Sequence, residues 1–312
     1  MTRLIADIGG TNARFAFVEE GAIRHIEVLA CADYDSVAEA AKAYQKKIGR
    51  QAKDAVFAIA APLDGSDHVK MMNHHWQFSI QQTKKEINLN VLHVINDFTA
   101  VAHGIPHLTD QDIYRVNDAV AQKGAPVAVI GAGTGLGVAG IVFDHVRPVV
   151  VTTEGGHVTM PASSLREFQI FDWLKKEKYS HVSAERVISG KGMVNLYAAI
   201  SALDRRALPE KNAAEITSAA LDKTCPVCVE TLDLFCHFLG VIAGNLALSY
   251  GAFGGLYIAG GIVPKLGDYF AQSRFYDSFT AKGRYKEYLS RIPIAVVTHP
   301  QPGLLGLQHY MP

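Results

Sequence analysis

The sequence predicts an α/β protein of two lobes, each opening on a strand, a glycine turn and a second strand. Three observations predict it. Leu4 to Asp7 is an apolar run that meets Gly9-Gly10 and continues from Ala13 to Val18 with apolar residues at alternate positions, the period of a half-buried strand. The same grammar restarts at Val127 to Ile130, passes through Gly131-Ala-Gly-Thr-Gly-Leu-Gly137 and resumes as the apolar strand Val138 to Phe143. Helical and buried-strand patterns follow each opening, and 312 residues with 49% hydrophobic side chains exceed what one small core needs. The first lobe is expected over residues 1–107, completed by residues 299–312, and the second over residues 108–298.

In the first lobe a third strand is expected at Ile26 to Ala30, then a helix from Ser36 to Ile48 whose apolar positions Val37, Ala40, Ala41 and Tyr44 share a face. Ala55 to Ala60 reads as a buried strand. Val91 to Ile95 is another, and it delivers Asn96-Asp97 at its carboxyl end just before a helix opening at Thr99. The second lobe continues with helices at Leu165 to Lys178, Gly192 to Leu203 and Val227 to Ser249. A strand at Gly255 to Ala259 ends in Gly260-Gly261, and a last strand spans Ile294 to Thr298. Pro302-Gly-Leu-Leu-Gly306 then returns to the first lobe. The paired openings suggest an internal duplication.

Lysine plus arginine total 30 and aspartate plus glutamate total 30, so no overall basic field exists to recruit nucleic acid or anionic lipid. A small neutral substrate fits that balance. An apolar strand begins at Leu4 and meets Asp7 and two glycines before a signal-peptide core could form, so a cytoplasmic location is expected. Phe238 to Pro264 holds no charged residue and is long enough to cross a bilayer. Seven glycines between Gly240 and Gly261, with Asn245, Ser249 and Tyr250, instead divide it into a buried helix and a strand, so no membrane partner is expected. The four cysteines, Cys31, Cys225, Cys228 and Cys236, are too few for an extracellular disulfide framework. Cys225-Pro-Val-Cys228 has the form of a redox or zinc half-site that Cys236-His237 would complete. The competing and favoured reading is small thiols buried on the helix face of Leu232, Phe235, Cys236 and Leu239.

Asp7-Ile-Gly-Gly-Thr11 lies where a strand turns, so bare amides there can approach phosphate oxygens and Asp7 can hold magnesium through water. A lone glycine pair in a hairpin is most often only a turn. The second hairpin, with Gly131, Gly133, Thr134 and Gly135, supplies another cradle, and Gly260-Gly261 leaves room for a base and ribose. No Gly-x-x-x-x-Gly-Lys-Ser/Thr string occurs, and the second hairpin continues as a strand where a dinucleotide fingerprint needs a helix. Asp97, at a strand end beside a phosphate site, is the general-base candidate for an attacking hydroxyl, with Asn96 beside it. Glu154-Gly-Gly-His157 and Ser183-Ala-Glu185-Arg186 add groups able to bond neighbouring sugar hydroxyls. Each has a plainer rival: Glu185 as a helix N-terminal acid after Ser183, His157 as one of thirteen histidines.

Asp7-Ile-Gly-Gly-Thr-Asn12, Ile95-Asn-Asp-Phe98, Gly131-Ala-Gly-Thr-Gly135, Glu154-Gly-Gly-His157, Ser183-Ala-Glu-Arg186 and Ala259-Gly-Gly-Ile262 occur in one order, and with them the chain resembles the bacterial glucokinases over essentially its whole length. That resemblance implies an actin-like, hexokinase-type (ribonuclease H-like) fold of two lobes with a central cleft. It also implies a homodimer, nucleotide-bound Mg2+ rather than a protein-held metal, and transfer of the γ-phosphate of ATP to the 6-hydroxyl of glucose, feeding glycolysis. By similarity Asp97 is the base; Asn96, Asp97, Glu154, His157 and Glu185 hold glucose; and Ala6, Asp7, Ile8, Gly9, Gly10 and Thr11 hold ATP with the second hairpin. Asn73-His-His-Trp76 also looks like a family segment, with Asn73 facing the cleft and Trp76 in the core. The Cys-x-Cys-Gly-x-x-Gly-Cys zinc motif of related sugar kinases is missing, so no structural zinc is expected. Competing functions are a kinase for another hexose, a sugar-sensing regulator, which lacks a DNA-binding module here, and an actin-like ATPase, which would not need Glu154, His157 and Glu185.

Overall fold

The computed structural model describes residues 2–71, 74–145 and 147–311. Two compact units divide the chain: unit 1 comprises Met1–Thr109, Val150–Thr152 and His299–Pro312, and unit 2 comprises Asp110–Val149 and Thr153–Thr298.

Unit 1 begins with β1 (Arg3–Ile8), β2 (Asn12–Glu19) and β3 (Ala22–Ala30), then α1 (Val37–Ile48) and β4 (Asp54–Ile59). A small hairpin of β5 (His68–Lys70) and β6 (Gln77–Ser79), then α2 (Ile80–Glu86), β7 (Val91–Asn96) and α3 (Asp97–Gly104) follow. The main sheet runs β3-β2-β1-β4-β7, with β1 and β2 antiparallel and β1, β4 and β7 parallel. Register places Ile8, Ile59 and Asn96 in one row, so their strands end together. One sheet face packs Phe15 and Phe57 with Tyr44 of α1 and Trp76, whose indole N–H donates to the Tyr34 carbonyl at 3.0 Å. Trp76 is therefore core, whereas Asn73 lies outside the described residues.

Unit 2 contains β8 (Ile113–Arg115), β9 (Val127–Ala132), β10 (Leu136–Asp144), the first half of β11 (Arg147–Thr152, whose Val150–Thr152 belong to unit 1), α4 (Leu165–Glu177), α5 (Gly190–Leu203), α6 (Ala213–Leu221) and α7 (Pro226–Tyr250). It continues with β12 (Gly255–Ala259), α8 (Asp268–Gln272), α9 (Phe275–Thr280), α10 (Lys286–Ser290) and β13 (Ile294–Val297). Its sheet order is β11-β10-β9-β12-β13-β8. An antiparallel β9–β10 hairpin joined to parallel β12 and β13 repeats the wiring of unit 1. The long helix α7 starts with Pro226 at a position that needs no N–H and stops at Gly251 in the left-handed region. It is long and apolar enough to cross a membrane, but 78% of its most apolar window is buried within the protein, so its composition serves the core. Gly240 and Gly244 let α9 approach: a Cβ at either would fall 2.3 Å from the Phe275 carbonyl oxygen or 2.5 Å from that of Phe279.

The last helix, α11 (Pro302–His309), packs in unit 1, where Leu304 and Leu307 join Ile5, Ile95 and Ala100. Here backbone meets backbone. A Cβ on Gly306 would sit 1.7 Å from the Ala100 carbonyl oxygen, and one on Gly104 would sit 2.7 Å from that of Pro302. Arg3 closes the carboxyl end of α11 by donating to the carbonyls of Leu307 (2.9 Å), Gln308 (2.6 Å) and Tyr310 (2.8 Å).

Two helix starts differ by two residues from the sequence reading. α3 begins at Asp97 rather than Thr99, because the Asn96 side chain accepts from the Phe98 and Thr99 amides; α5 begins at Gly190 rather than Gly192, because Ser189 caps it. The cap, not the first apolar residue, sets each start. The short elements β5, β6, β8, α2 and α8–α10 were not anticipated, nor were β11 and α6. β11 is largely exposed and so carries no apolar alternation, while α6 is announced only by the capping box of Asn212 and Glu215.

The seam between α3 and α11 carries a histidine cluster. His107 and His309 stack with ring centroids 3.5 Å apart, and His103 meets Tyr310 edge-on at 5.1 Å. Burial first and a cationic neighbour second hold all three imidazoles below their ordinary value, the neighbours being His107 for His103, His309 for His107 and Arg3 for His309. Above about pH 6.5 the three are neutral folded or unfolded; below it the unfolded chain takes up protons that the folded packing resists. Thermal midpoints measured by differential scanning calorimetry should therefore fall from about pH 7.5 to about pH 5.5, and His309→Gln should flatten that slope. An unchanged slope would exclude the cluster as its source.

Candidate functional site

In unit 1 the shared ends of three parallel strands bring two segments to one edge. β1 runs into the turn Gly9-Gly10-Thr11, closed by Gly9 N–H donating to the Asn12 carbonyl at 3.0 Å, and the Cys31 amide holds the Thr11 carbonyl at 2.9 Å. β7 delivers Asn96 and Asp97 to the same edge. Asn96 caps α3 through Oδ1, accepting from Phe98 (2.9 Å) and Thr99 (3.1 Å), while its Nδ2 donates to the Ala61 carbonyl at 3.3 Å. Asp97 occupies the first turn of α3, partly exposed, with Oδ1 accepting from the Phe98 amide at 2.8 Å.

Asp7 ends its side chain against the start of α11: a Cβ on Gly303 would lie 3.2 Å from Asp7 Oδ2. Enclosure by protein pushes the Asp7 carboxyl above its ordinary range, and Arg14, its cross-strand partner, pulls the other way. A carboxylate so placed beside open amides suits a hard cation that keeps water and phosphate as its other ligands. Among the described residues no group of three or more His, Cys, Asp or Glu is arranged to hold a metal.

In unit 2, β9 and β12 are parallel with Gly131 opposite Ala259, so the second glycine turn and Gly260-Gly261 also emerge at one edge. The Gly133 amide donates to the Gly135 carbonyl at 2.8 Å, and the Ile262 amide reaches the Ala132 carbonyl at 3.3 Å. The glycines divide by cause. Gly260 is required by the protein itself, at φ 86° and with a Cβ 2.4 Å from the Ala132 carbonyl oxygen, whereas a Cβ on Gly135 would meet only the carboxylate end of Glu185, 2.5 Å from Oε2. Gly133 and Gly261 meet nothing within 4 Å and have no left-handed backbone, so neither packing nor conformation explains them. Thr134 lies exposed at the tip. Space left open beside amides is what an incoming phosphate or ribose would use.

The carboxylate and imidazole set gathers around the same hairpin. Glu185 Oε2 accepts from the Leu136 amide at 3.0 Å. A backbone bridge pairs Thr159 with Ser183, and the Ala184 amide donates to the Val158 carbonyl at 2.9 Å, which brings the segment after His157 beside the one before Glu185. Gly156 packs so tightly on β10 that a Cβ would fall 2.0 Å from the Leu136 carbonyl oxygen. Glu154 and His157 flank that contact, both exposed, with Nε2 and Oε2 3.9 Å apart.

Two contributors escaped the sequence reading. The N-terminus of α5 touches the second turn, the Gly190 amide donating to the Gly133 carbonyl at 2.9 Å, with Ser189 capping and Lys191 exposed. Its signal, Ser189-Gly-Lys-Gly192 before an apolar run, is legible as a cap. The N-terminus of α11 beside Asp7 has no local signal. His237 forms no metal site with the cysteines: Nδ1 lies 2.7 Å from Ser278 Oγ and Nε2 3.3 Å from Glu167 Oε1.

A family model described as glucokinase matches residues 4–312. A Yersinia pestis glucokinase is 47% identical over 311 residues, covering 99% of this chain and 95% of its own. The crystal structure of a glucokinase from an Antarctic psychrotroph superposes with a TM-score of 0.86 at 35% identity, covering 99% of this chain and 98% of that one. A glucokinase from Balamuthia mandrillaris, solved in complex with glucose, shares the fold at 19% identity with a TM-score of 0.82, covering 99% and 92%.

The two classes of glycine separate by mutation. Gly260→Ala should lose at least about 2 kcal/mol in chemical denaturation, whereas Gly133→Ala and Gly261→Ala should stay within about 0.5 kcal/mol of the parent. Equal losses at all three would mean that Gly133 and Gly261 are structural.

Proposed function

The chain belongs to the glucokinase family, and on that premise we propose which of its residues carry the reaction. The enzyme transfers the γ-phosphoryl group of ATP to the 6-hydroxyl of glucose, giving glucose 6-phosphate and ADP. The two-lobed actin-like fold of the sugar kinases provides its scaffold. The observation that carries the residue assignment is the row of Ile8, Ile59 and Asn96, which sets Asp97 on the same sheet edge as the first glycine turn.

In this reading Asp97 accepts the proton of the 6-hydroxyl as its oxygen bonds to the γ-phosphorus and the bond to ADP breaks. Its place in the first turn of α3 sets its carboxylate at the strand end. Asn96 serves mainly by fixing α3, and so Asp97, and can offer its Nδ2 hydrogens to the sugar. Glu154 and His157 hold further hydroxyls from a short, glycine-pinned turn. Glu185 gives one oxygen to the Leu136 amide, and a carboxylate has roughly four acceptor sites, which leaves capacity for hydroxyls.

ATP is held in this reading by Ala6 to Thr11, by Gly131, Gly133, Thr134 and Gly135, and by Gly260-Gly261, with backbone amides facing phosphate oxygens. Mg2+ bound with the nucleotide would be held from the protein side by Asp7 and would offset phosphate charge. Residues 1–107 with 299–312 and residues 108–298 act as the two lobes, and the enzyme works as a cytoplasmic homodimer. Sedimentation velocity on the purified protein tests the dimer, and loss of turnover on chelation tests the cation.

Asp97→Asn should lower kcat by roughly 100- to 10,000-fold while calorimetric glucose affinity changes little. Near-normal turnover would remove Asp97 from the role. Glu185→Gln, assayed across glucose, mannose, fructose and glucosamine, should raise the glucose KM and weaken discrimination between epimers. A loss of thermal stability with an unchanged KM would assign Glu185 to holding the hairpin alone.

A further inference from the structure

The string Cys225-Pro-Val-Cys228 lies outside the residues assigned above to phosphoryl transfer, yet the structure gives it a defined chemistry. Cys225 is the N-cap of α7, with extended backbone at φ −137° and ψ 111°, and its carbonyl accepts from the Val229 amide at 3.0 Å. Cys228 lies one turn along the helix, fully buried against Leu232 and Val227, while Cys225 is only half-buried. Both are free thiols. The Cys225 side chain closes no capping hydrogen bond. Its sulfur is instead favoured as the thiolate by the nearby amides of Cys228 and Val227 and the Cys228 thiol, and by the charge of the Lys211 amine. Partial burial raises the Cys225 thiol, and those attractions outweigh it and leave it below its ordinary value; burial and then contact with Cys225 push Cys228 up. The pair is thus asymmetric, an accessible thiol that ionises readily beside a buried one that does not.

We propose that Cys225 and Cys228 form a redox-active dithiol, Cys225 attacking and Cys228 resolving, which a low-molecular-weight disulfide oxidises to an intramolecular disulfide. The Cys225 thiolate attacks one sulfur of the disulfide RSSR, forms a mixed disulfide and releases RS−, which takes up a proton as RSH. Cys228 then loses its proton and attacks the Cys225 sulfur, forming the Cys225–Cys228 bond and releasing the second RSH. The dithiol is oxidised by two electrons and RSSR is reduced by two. On a helix, residues three apart hold their Cβ atoms about 5–6 Å apart. A disulfide needs about 3.5–4.5 Å. Cys225, outside the helical backbone, is the residue able to make up the difference without unwinding α7. The other two thiols are poor competitors, Cys31 buried with its Sγ 3.4 Å from the Gly9 carbonyl oxygen and Cys236 buried in the centre of α7.

The test uses the full chain treated with oxidised glutathione and read by intact mass and peptide mapping. The expected product has lost two hydrogens at Cys225 and Cys228 alone and regains them with dithiothreitol. Cys225→Ser should take no glutathione, whereas Cys228→Ser should retain one glutathione on Cys225. In the reduced parent, limited alkylation by iodoacetamide at neutral pH should label Cys225 at least about tenfold faster than Cys31, Cys228 or Cys236. That measurement needs no variant and so stands if Cys228→Ser does not fold. Absence of the disulfide, glutathione on another cysteine, or labelling of Cys225 no faster than the rest would overturn the proposal.

Discussion

Parallel pairing from β1 through β4 to β7 ends on one row of residues, Ile8, Ile59 and Asn96, and what unit 1 offers a ligand depends on that row. A parallel ladder points all its strands one way, so the loops that leave their carboxyl ends share an edge. The first glycine turn and Asp97 are neighbours for this reason, although Gly9 and Asp97 stand 88 positions apart along the chain. Unit 2 repeats the device with Gly131 opposite Ala259, which aligns the second glycine turn with Gly260-Gly261. A one-residue slip in either ladder would exchange the two buried faces of the slipped strand and carry these loops out of line.

The turns are held by contacts that leave little slack. Glu185 reaches the Leu136 amide, Gly156 lies on the Leu136 carbonyl, and Gly190 holds the Gly133 carbonyl, so three separate segments brace one hairpin. In unit 1, Gly104 and Gly306 allow α3 and α11 to meet backbone to backbone, which places the start of α11 beside Asp7. A helix N-terminus carries partial positive charge, about +0.5, and offsets part of the cost of keeping the Asp7 carboxylate enclosed. The same seam carries the histidine stack, so the packing that sets α11 beside Asp7 also encloses imidazoles held below their ordinary value.

The apolar helix α7 illustrates how one segment answers several demands. Its charge-free run fills the middle of unit 2, Gly240 and Gly244 admit α9, and His237 is held between Glu167 and Ser278. The half-exposed Cys225 at its start lies at the margin of that core, where a thiol can react while the helix behind it stays packed.

The sequence by itself determined the two strand–glycine–strand openings, the helix at α1, the strand ending in Asn96-Asp97 and the ordered motifs that mark the family, because each is a local pattern of period, turn residue or cap. It was silent on β11 and on the short helices after β12, whose exposure or brevity leaves no periodic signal. Only the tertiary structure separated the glycines: Gly260 lies on the Ala132 backbone, Gly135 faces the Glu185 carboxylate, and Gly133 and Gly261 have no protein atom within reach. Only it joined Glu185 to Leu136, 49 positions apart, and set Asp7 against Gly303. Such contacts arise from how sheets and helices stack, and a residue's neighbours along the chain hold no record of what packing will bring across from the far end.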